Sequence, residues 1–209
     1  MKVSNTQLRT LARRDSLMGK AMKDFGPFPD FPRASSSRMT HFASLARSII
    51  YQQLAGGAAS SILARVTALT PGPAFPRPVE LLSLPRSALL GAGLSRNKAR
   101  ALLDLAGRVE SGELGLRGIG RLDDGEIVER LVRVYGIGVW SAQMFLIFKL
   151  GRLDVLPTTD LGVQEGARRL YRLDRRPGPG ELEEMGRAWA PLRSAASWTL
   201  WRIKDGVPR

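Results

Sequence analysis

Hydrophobic residues recur at helical spacing along most of the chain, and no stretch alternates with the period of two that favours a strand. The clearest pair of amphipathic runs flanks Gly136-Ile137-Gly138 and predicts a helix, a tight hairpin and a second helix. Apolar positions with this spacing are Ile127, Leu131 and Val134 before the hairpin, and Trp140, Met144 and Ile147 after it. The pattern as a whole predicts an all-α fold of about ten short helices.

Polar residues mark several of the predicted helix starts. Asp123 and Glu126 have the spacing of a capping box before the first hairpin helix, and Thr40 and Ser95 are suited to cap two others. A further helix is predicted over residues 4–25, and two proline-rich connections follow at 26–37 and 70–78. The buried side of that first helix is predicted to carry Leu8, Leu11, Leu17, Ala21 and Met22, and Phe25, Phe28 and Phe31 are expected to hold the first connection against the body.

The hairpin itself offers backbone chemistry. Two glycines one residue apart permit a turn with positive φ, which leaves amide groups exposed near the N-terminus of the second helix. Such a helix start binds anions, and the phosphate of DNA is an anion. Gly-x-Gly pairs are common in a chain with 22 glycines, so a plain turn between helices remains the alternative. Only this pair has an amphipathic helix on each side.

Charge narrows the class of partner. Lys and Arg number 32 against 19 Asp and Glu, and the net charge of +13 favours a polyanion such as nucleic acid over an anionic membrane surface. The absence of a long apolar run or a signal-like N-terminus predicts a soluble cytoplasmic protein, associated with the nucleoid if the source is bacterial. Zero cysteines exclude disulfides, thiolate zinc sites and cysteine-bound iron–sulfur clusters, and a single histidine makes a histidine metal site implausible.

Other residues have both a structural and a functional interpretation. The turn Gln52-Gln53-Leu54 between two helices is either a connection or a wedge that enters DNA when a base leaves the stack. Asp160 precedes a helical run over 161–172 and is suited to cap it. Arg168, Arg172 and Arg175 fall on one predicted helical face, either solvated or in contact with phosphate. Trp189 and Trp198 are expected in the core.

Four motifs in one order carry a resemblance: QQL from Gln52, GLSRNKA from Gly93, YGIGVWSAQM from Tyr135 and LPTTDLG from Leu156. Together, between about residues 42 and 201, they resemble the helix-hairpin-helix DNA glycosylases, and most of all the 3-methyladenine DNA glycosylase II branch. The resemblance implies an all-α, two-lobed fold with the active-site cleft between the lobes. We expect an N-terminal segment 1–40 packed on the C-terminal lobe, a central lobe 41–135, and a segment 136–209 with the hairpin, the aspartate and the last helices.

The implied activity is hydrolysis of the N-glycosidic bond of a flipped alkylated purine, 3-methyladenine or 7-methylguanine, in double-stranded DNA during base excision repair. Asp160 stands where the family has its catalytic aspartate, and a fixed carboxylate stabilises an oxocarbenium-like sugar and orients water. Strand-cutting relatives carry a lysine two residues after the second hairpin glycine. Trp140 occupies that position here, which implies a monofunctional enzyme without lyase activity.

The resemblance also assigns the remaining site residues. Gln53 is the favoured DNA wedge, with Leu54 next to it and Gln52 in the same turn; Met144 and Leu161 stand where some relatives have aromatics. The base pocket would comprise Trp140, Trp201, Met144, Leu161 and Tyr51, and the phosphate contacts Gly136, Ile137, Gly138, Ser141, Arg168 and Arg172. A monomer without a side-chain metal site is expected, and a monovalent cation at the hairpin carbonyls stays open.

Two alternatives are kept. One is a glycosylase for another lesion, such as hypoxanthine, ethenoadenine or a mismatched pyrimidine. The other is a non-catalytic architectural protein that binds DNA through the same hairpin and basic surface, with steep salt dependence and no release of any base.

Overall fold

The computed structural model describes residues 3–25, 28, 38–54 and 56–206, and every regular element in these ranges is helical. The predicted all-α class is confirmed over them, with twelve α-helices rather than about ten. In chain order these are α1 (Asn5–Arg14), α2 (Ser16–Asp24), α3 (His41–Tyr51), α4 (Gly56–Thr67), α5 (Pro78–Ser83), α6 (Arg86–Gly91), α7 (Arg96–Glu110), α8 (Asp124–Val132), α9 (Val139–Phe145), α10 (Leu161–Tyr171), α11 (Pro179–Gly186) and α12 (Arg193–Asp205). Shorter helices are the 3₁₀ turns Ile119–Arg121 and Arg187–Trp189 and the π-helix Leu146–Leu150.

The chain divides into two compact units. The terminal unit comprises Met1–Arg33 and Leu146–Arg209, and the central unit comprises Ala34–Phe145. The division after Phe145 lies ten residues beyond the 135/136 boundary expected from the sequence, because the hairpin and α9 pack on α8 and α3 of the central unit. None of the described helices combines the length and apolarity needed to cross a bilayer.

The single helix predicted over 4–25 is wrong, since the chain breaks at Asp15. Asp15 has extended backbone angles, and its Oδ1 accepts a hydrogen bond from the Met18 amide as the cap of α2. Leu11 and Ala21 are buried as predicted, but Met18 takes the buried position expected for Leu17. Met18 is fully buried, whereas Leu17 is half exposed.

Asp15 also fastens this first segment to the end of the chain. Its Oδ2 accepts from Trp189 Nε1 at 2.9 Å and from the Tyr171 hydroxyl, and the Tyr171 and Trp189 rings are stacked 6.4 Å apart. Burial, reinforced by the neighbouring carboxylate of Asp15, raises the pKa of Tyr171. Trp189 is fully buried as predicted, whereas Trp198 is only half-buried.

Helices α10 and α12 make the most extensive helix contact among the described residues of the terminal unit. Gly166 makes this approach feasible, because a Cβ there would lie 2.1 Å from the Leu200 carbonyl oxygen. Phe25 and Phe28 pack against the core of this unit, and Phe31 lies outside the described residues, together with most of the 26–37 connection.

The central unit is built around α3 and α7. The predicted caps Thr40, Ser95 and Asp123 are confirmed, each accepting from the amide three residues later. Only half of the predicted capping box forms, since the Glu126 carboxylate pairs with Arg130 at 2.6 Å instead. The apolar face of α3 is buried and carries Phe42, Leu45, Ile49 and Ile50.

Candidate active site

The glycine hairpin joins α8 to α9 in the central unit. Gly136 has a φ of +81°, and a Cβ on it would lie 3.0 Å from the Ala101 Cβ, so this position requires glycine. Gly138 lacks positive φ and faces open space, so Gly136 alone supplies the positive φ that the glycine pair was expected to permit. Ile137 is buried and anchors the turn, while the backbone of both glycines is exposed.

Helix α7 holds the entry to this hairpin. The Asp104 carboxylate accepts from the Tyr135 amide at 2.8 Å and from Arg108 Nε at 2.9 Å. The exposed Arg100 guanidinium lies 3.9 Å from the centroid of the Tyr135 ring, a cation–π contact. The backbone before the hairpin is therefore fixed from one side.

The turn after α3 is bound to the same hairpin. Gln52 Nε2 donates to the Gly136 carbonyl at 2.9 Å and to Ser141 Oγ at 3.3 Å. Gln53 and Leu54 are exposed, and Gln53 has a φ of +55°. Of the three residues predicted as a wedge, Gln52 faces the hairpin, so Gln53 and Leu54 are the ones that project.

This contact also involves the hairpin carbonyls, where a monovalent cation was left open, and Ser141, which was expected to contact phosphate. The Gly136 carbonyl already accepts from Gln52, and the Ser141 side chain is buried. Among the described residues, no cluster of three or more histidine or acidic side chains could hold a metal ion.

Three predicted pocket residues belong to the central unit. Trp140, in the first turn of α9, exposes 42% of its surface, while Met144 and Tyr51 are half-buried. The Arg47 guanidinium lies 4.0 Å from the centroid of the Tyr51 ring. Val139 next to Trp140 exposes 53% of its surface, so two large apolar side chains are exposed side by side at the start of α9.

Asp160 lies at the end of a loop held by the helices around it. The Pro157 carbonyl accepts from the Asp160 amide at 3.0 Å, and the Thr158 carbonyl accepts from Gln164 Nε2 at 2.8 Å. Asp160 Oδ1 accepts from the Val163 amide at 2.8 Å, so the cap predicted for α10 is confirmed. The positive end of the helix dipole therefore acts on this carboxylate.

The segment before this loop is fixed by the start of α12. Arg193 Nε and Nη2 grip the Asp154 carboxylate at 2.8 and 2.9 Å, and the Ser194 hydroxyl accepts from the Val155 amide at 3.0 Å. A bidentate pair of this kind sets both distance and orientation. Arg193 and Ser194, about forty residues later in the sequence, thus fix the segment that leads to Asp160.

Trp201 meets Asp160 directly. Its Nε1 donates to Asp160 Oδ1 at 2.9 Å, and its ring stacks on Phe148 with centroids 5.8 Å apart and an interplanar angle of 25°. Gly162 makes room for this contact, because a Cβ there would lie 2.9 Å from Trp201 Cδ1 and 3.1 Å from Asp160 Oδ1. Leu161, also predicted in the pocket, exposes 63% of its surface next to the carboxylate.

Sequence reasoning did not single out Gly162 or Phe148. Gly162 stands in the LPTTDLG motif, but the sequence does not show that a side chain at this position would collide with Trp201 and Asp160. Phe148 lies in the π-helix Leu146–Leu150, and π-turns are frequent at functional sites. No local pattern in the sequence predicts that ring stack.

The arginine face predicted beyond Asp160 does not form. Helix α10 ends at Tyr171, and Arg172 is an exposed left-handed C-cap with a φ of +54°. Arg168 grips Glu165 at 2.9 and 3.0 Å, and hydrogen bonds from Arg168 and Arg169 lower the pKa of Glu165 to about 2. Arg175 lies beyond the helix and pairs with Glu181.

The chain is similar to known proteins over most of its length. Residues 46–191 match the model of the HhH-GPD superfamily base excision DNA repair proteins. DNA-3-methyladenine glycosylase 1 of Schizosaccharomyces pombe is 33% identical over 172 residues, which are 82% of this chain and 75% of that protein.

Two solved structures show the same fold over nearly the whole chain. A DNA-3-methyladenine glycosidase from Bacillus halodurans gives a TM-score of 0.84 at 33% identity and covers 98% of this chain and 91% of its own. A 3-methyladenine DNA glycosylase of S. pombe in complex with abasic DNA gives a TM-score of 0.77 at 28% identity, with 95% of each chain covered. The chain therefore belongs to the HhH-GPD superfamily of base excision DNA repair proteins.

Proposed function

We propose that the chain is a monofunctional DNA glycosylase that hydrolyses the N-glycosidic bond of flipped 3-methyladenine and 7-methylguanine in double-stranded DNA. The observation that carries this proposal is the Asp160 carboxylate, held by the Val163 amide and by Trp201 Nε1. The relatives named for 3-methyladenine support the choice of alkylated purines as substrate.

Asp160 supplies the charge that the reaction needs. When the bond between C1′ and the base nitrogen breaks, its electron pair goes to the base, and positive charge develops on the sugar. A fixed carboxylate stabilises that cation and orients the attacking water. The water oxygen adds to C1′, and the carboxylate accepts the proton that the water loses. A purine methylated at a ring nitrogen is already cationic, so it leaves as a neutral base without a general acid.

Trp140 determines which nucleophile is used. It occupies the position of the lysine with which strand-cutting enzymes form a Schiff base, so water is the nucleophile here. Trp140, Met144 and Tyr51 are the proposed base contacts of the central unit, and Trp201 and Leu161 those of the terminal unit. Electron-rich rings attract a cationic base through cation–π and stacking interactions.

The proposed partner is double-stranded DNA. Support comes from the net charge of +13, from the exposed hairpin backbone, and from the similarity to an S. pombe structure in complex with abasic DNA. The phosphate contacts are assigned to Gly136, Ile137 and Gly138, with Arg172 as an exposed candidate beyond α10. We infer a monomer that acts in the cytoplasm, at the nucleoid in a bacterium.

Incubation with DNA treated with a methylating agent, followed by chromatography of the released bases, tests the function. We expect free 3-methyladenine and 7-methylguanine and no strand cleavage. A covalent DNA adduct on borohydride treatment would contradict the monofunctional assignment. Release of hypoxanthine, ethenoadenine or a mismatched pyrimidine instead would reassign the substrate, and salt-sensitive binding without release of any base would identify a non-catalytic DNA-binding protein.

A further inference from the structure

Lys98 has a position that the proposed chemistry leaves unexplained. It lies in the first turn of α7, which Ser95 caps, and its Nζ donates to the carbonyls of Ile50 at 2.8 Å and Gln52 at 2.7 Å. Ile50 lies in the last turn of α3, and Gln52 is the C-cap residue that directly follows the helix. A cation is favourable at a helix C-terminus, where carbonyls lack partners within the helix.

The burial of Lys98 shows that this contact is part of the packed structure. The side chain is half-buried, and desolvation lowers the pKa of the ammonium. A lysine removed from water in this way has exchanged hydration for the two carbonyls. Its role is therefore more specific than that of a surface charge on the face of a helix.

The turn is also held from the hairpin. The Gln52 side chain donates to Gly136 and Ser141, while its backbone carbonyl accepts from Lys98. Directly after it, Gln53 and Leu54 project from this fixed base, and Gln53 adopts a left-handed conformation that is unfavourable for a residue with a Cβ. The surrounding contacts impose this conformation on the turn.

We propose that Lys98 is a positioning residue for base extrusion, which keeps the turn of Gln53 and Leu54 in the one conformation that can enter the DNA stack. The inference rests on the proposed glycosylase function and deepens it. A side chain that replaces a departing base must fill a defined gap, and a turn ordered in advance does not have to be ordered during extrusion. Lys98 acts through the turn and has no contact with the reacting atoms.

This role predicts a dependence on how strongly the target base is held. Extrusion of a base costs the least free energy when the base is mispaired. A defect in the turn of Gln53 and Leu54 should therefore slow excision most for a well-paired lesion. A loss of DNA affinity, or a general loss of folded protein, would lower excision from both substrates by the same factor. The ratio of the two single-turnover rates therefore isolates the positioning role.

The experiment compares 7-methylguanine opposite cytosine with 7-methylguanine opposite thymine in otherwise identical duplexes, for the wild-type protein and for Lys98→Met. We expect the ratio of the thymine rate to the cytosine rate to rise about tenfold in Lys98→Met, which corresponds to about 1.4 kcal/mol. Arg96→Met is the matched control. It removes one positive charge from an exposed residue of the same helix turn, and its ratio should remain that of the wild type.

An unchanged ratio in Lys98→Met, with the wild-type protein active, would overturn the inference and leave the proposed function intact. If Lys98→Met does not fold, Lys98→Gln is measured instead, because its shorter side chain cannot span both carbonyls and must give the same rise. Wild-type protein that releases 7-methylguanine from neither duplex would overturn the proposed function, and this inference with it.

Discussion

Asp160 uses one oxygen for two purposes. Oδ1 caps α10 through the Val163 amide and also accepts from Trp201 Nε1. Capping by itself is a common reason for an aspartate before a helix, and the same hydrogen bonds hold the carboxylate in the orientation that the proposed chemistry requires. A substitution that keeps the cap and removes the charge separates the two roles.

Asp160→Asn is that substitution. Asparagine caps helices about as well as aspartate, so the free energy of unfolding should change by less than about 1 kcal/mol. Excision of 7-methylguanine should fall at least about a hundredfold, because the amide cannot stabilise a cationic sugar. Thermal denaturation and single-turnover release measure the two effects. Asp160→Ala, which also loses the cap, should be less stable by about 1 kcal/mol, and substantial turnover by the Asn variant would contradict the role of Asp160.

Gly162 gives a second test at the same carboxylate. A methyl group at this position would meet Trp201 Cδ1 at 2.9 Å and Asp160 Oδ1 at 3.1 Å, so Gly162→Ala should separate the indole from the carboxylate. Because this hydrogen bond is made to a charged group, its loss in Gly162→Ala should lower the excision rate roughly tenfold to hundredfold.

The comparison uses two further variants. Trp201→Phe keeps a ring to stack on Phe148 and lacks the donor, so it should show a similar decrease. Gly180→Ala, in α11 and facing open space, should excise at the wild-type rate. If Gly162→Ala is as active as Gly180→Ala, the Trp201 contact does not position Asp160 for catalysis.

Among the helices, the packing distance between α10 and α12 depends on Gly166, which lies in α10. A Cβ on Gly166 would lie 2.1 Å from the Leu200 carbonyl oxygen, and backbone cannot move aside as a flexible side chain can. Gly166→Ala should therefore lower the free energy of unfolding by about 3 kcal/mol or more.

The same substitution at Gly107 should have the opposite sign. Gly107 lies inside α7, and a methyl group added there would meet no neighbouring side chain or helix within 4 Å, so alanine should stabilise the protein by about 0.5–1 kcal/mol. Urea denaturation of both variants checks the pair. Equal stability of Gly166→Ala and Gly107→Ala would show that α10 and α12 can separate at little cost.

Helix boundaries and caps could be predicted from the sequence because their causes are local. Thr40, Ser95 and Asp123 each bond an amide three residues away. The break at Asp15 is only partly local: the carboxylate caps α2 through the Met18 amide, but it also binds Tyr171 and Trp189, more than 150 residues later, which no local pattern predicts. The arginine face failed for local reasons that its spacing does not show, because Glu165 binds Arg168 and Arg169 and the helix ends before Arg172.

The residues of the candidate site likewise differ in whether local sequence or distant contacts explain them. Asp160 was found because it precedes a helical run and stands in a recognisable motif, and Trp201 was found through the resemblance. Lys98, Gln52 and Gly162 owe their importance to partners that are distant in sequence: the end of α3, the hairpin and the indole of α12. Periodicity and spacing carry no information on such contacts.

For the whole molecule, charge is the property that governs association. A net charge of +13 on 209 residues favours binding to DNA by release of counterions. If about four phosphates are contacted, affinity for a short duplex should fall about a hundredfold between about 50 and 200 mM salt. Fluorescence anisotropy over that range gives the slope of log affinity against log salt.

Single substitutions refine this measurement. Arg172→Gln should reduce the slope by about one if its exposed guanidinium binds a phosphate. Arg187→Gln removes a charge already paired with Glu184 and should leave the slope unchanged. A slope near zero for the wild-type protein would contradict an electrostatic role for the basic surface.

The attachment of α1 and α2 to the end of the chain has a consequence for biosynthesis. A ribosome delivers these two helices well before their partners Tyr171, Trp189 and α12, which lie more than 150 residues later in the chain. The central unit, continuous from Ala34 to Phe145, is complete while Leu11 and Met18 still lack the residues that bury them. Helices α1 and α2 therefore cannot reach their native packing until the helices that follow the central unit have been synthesised.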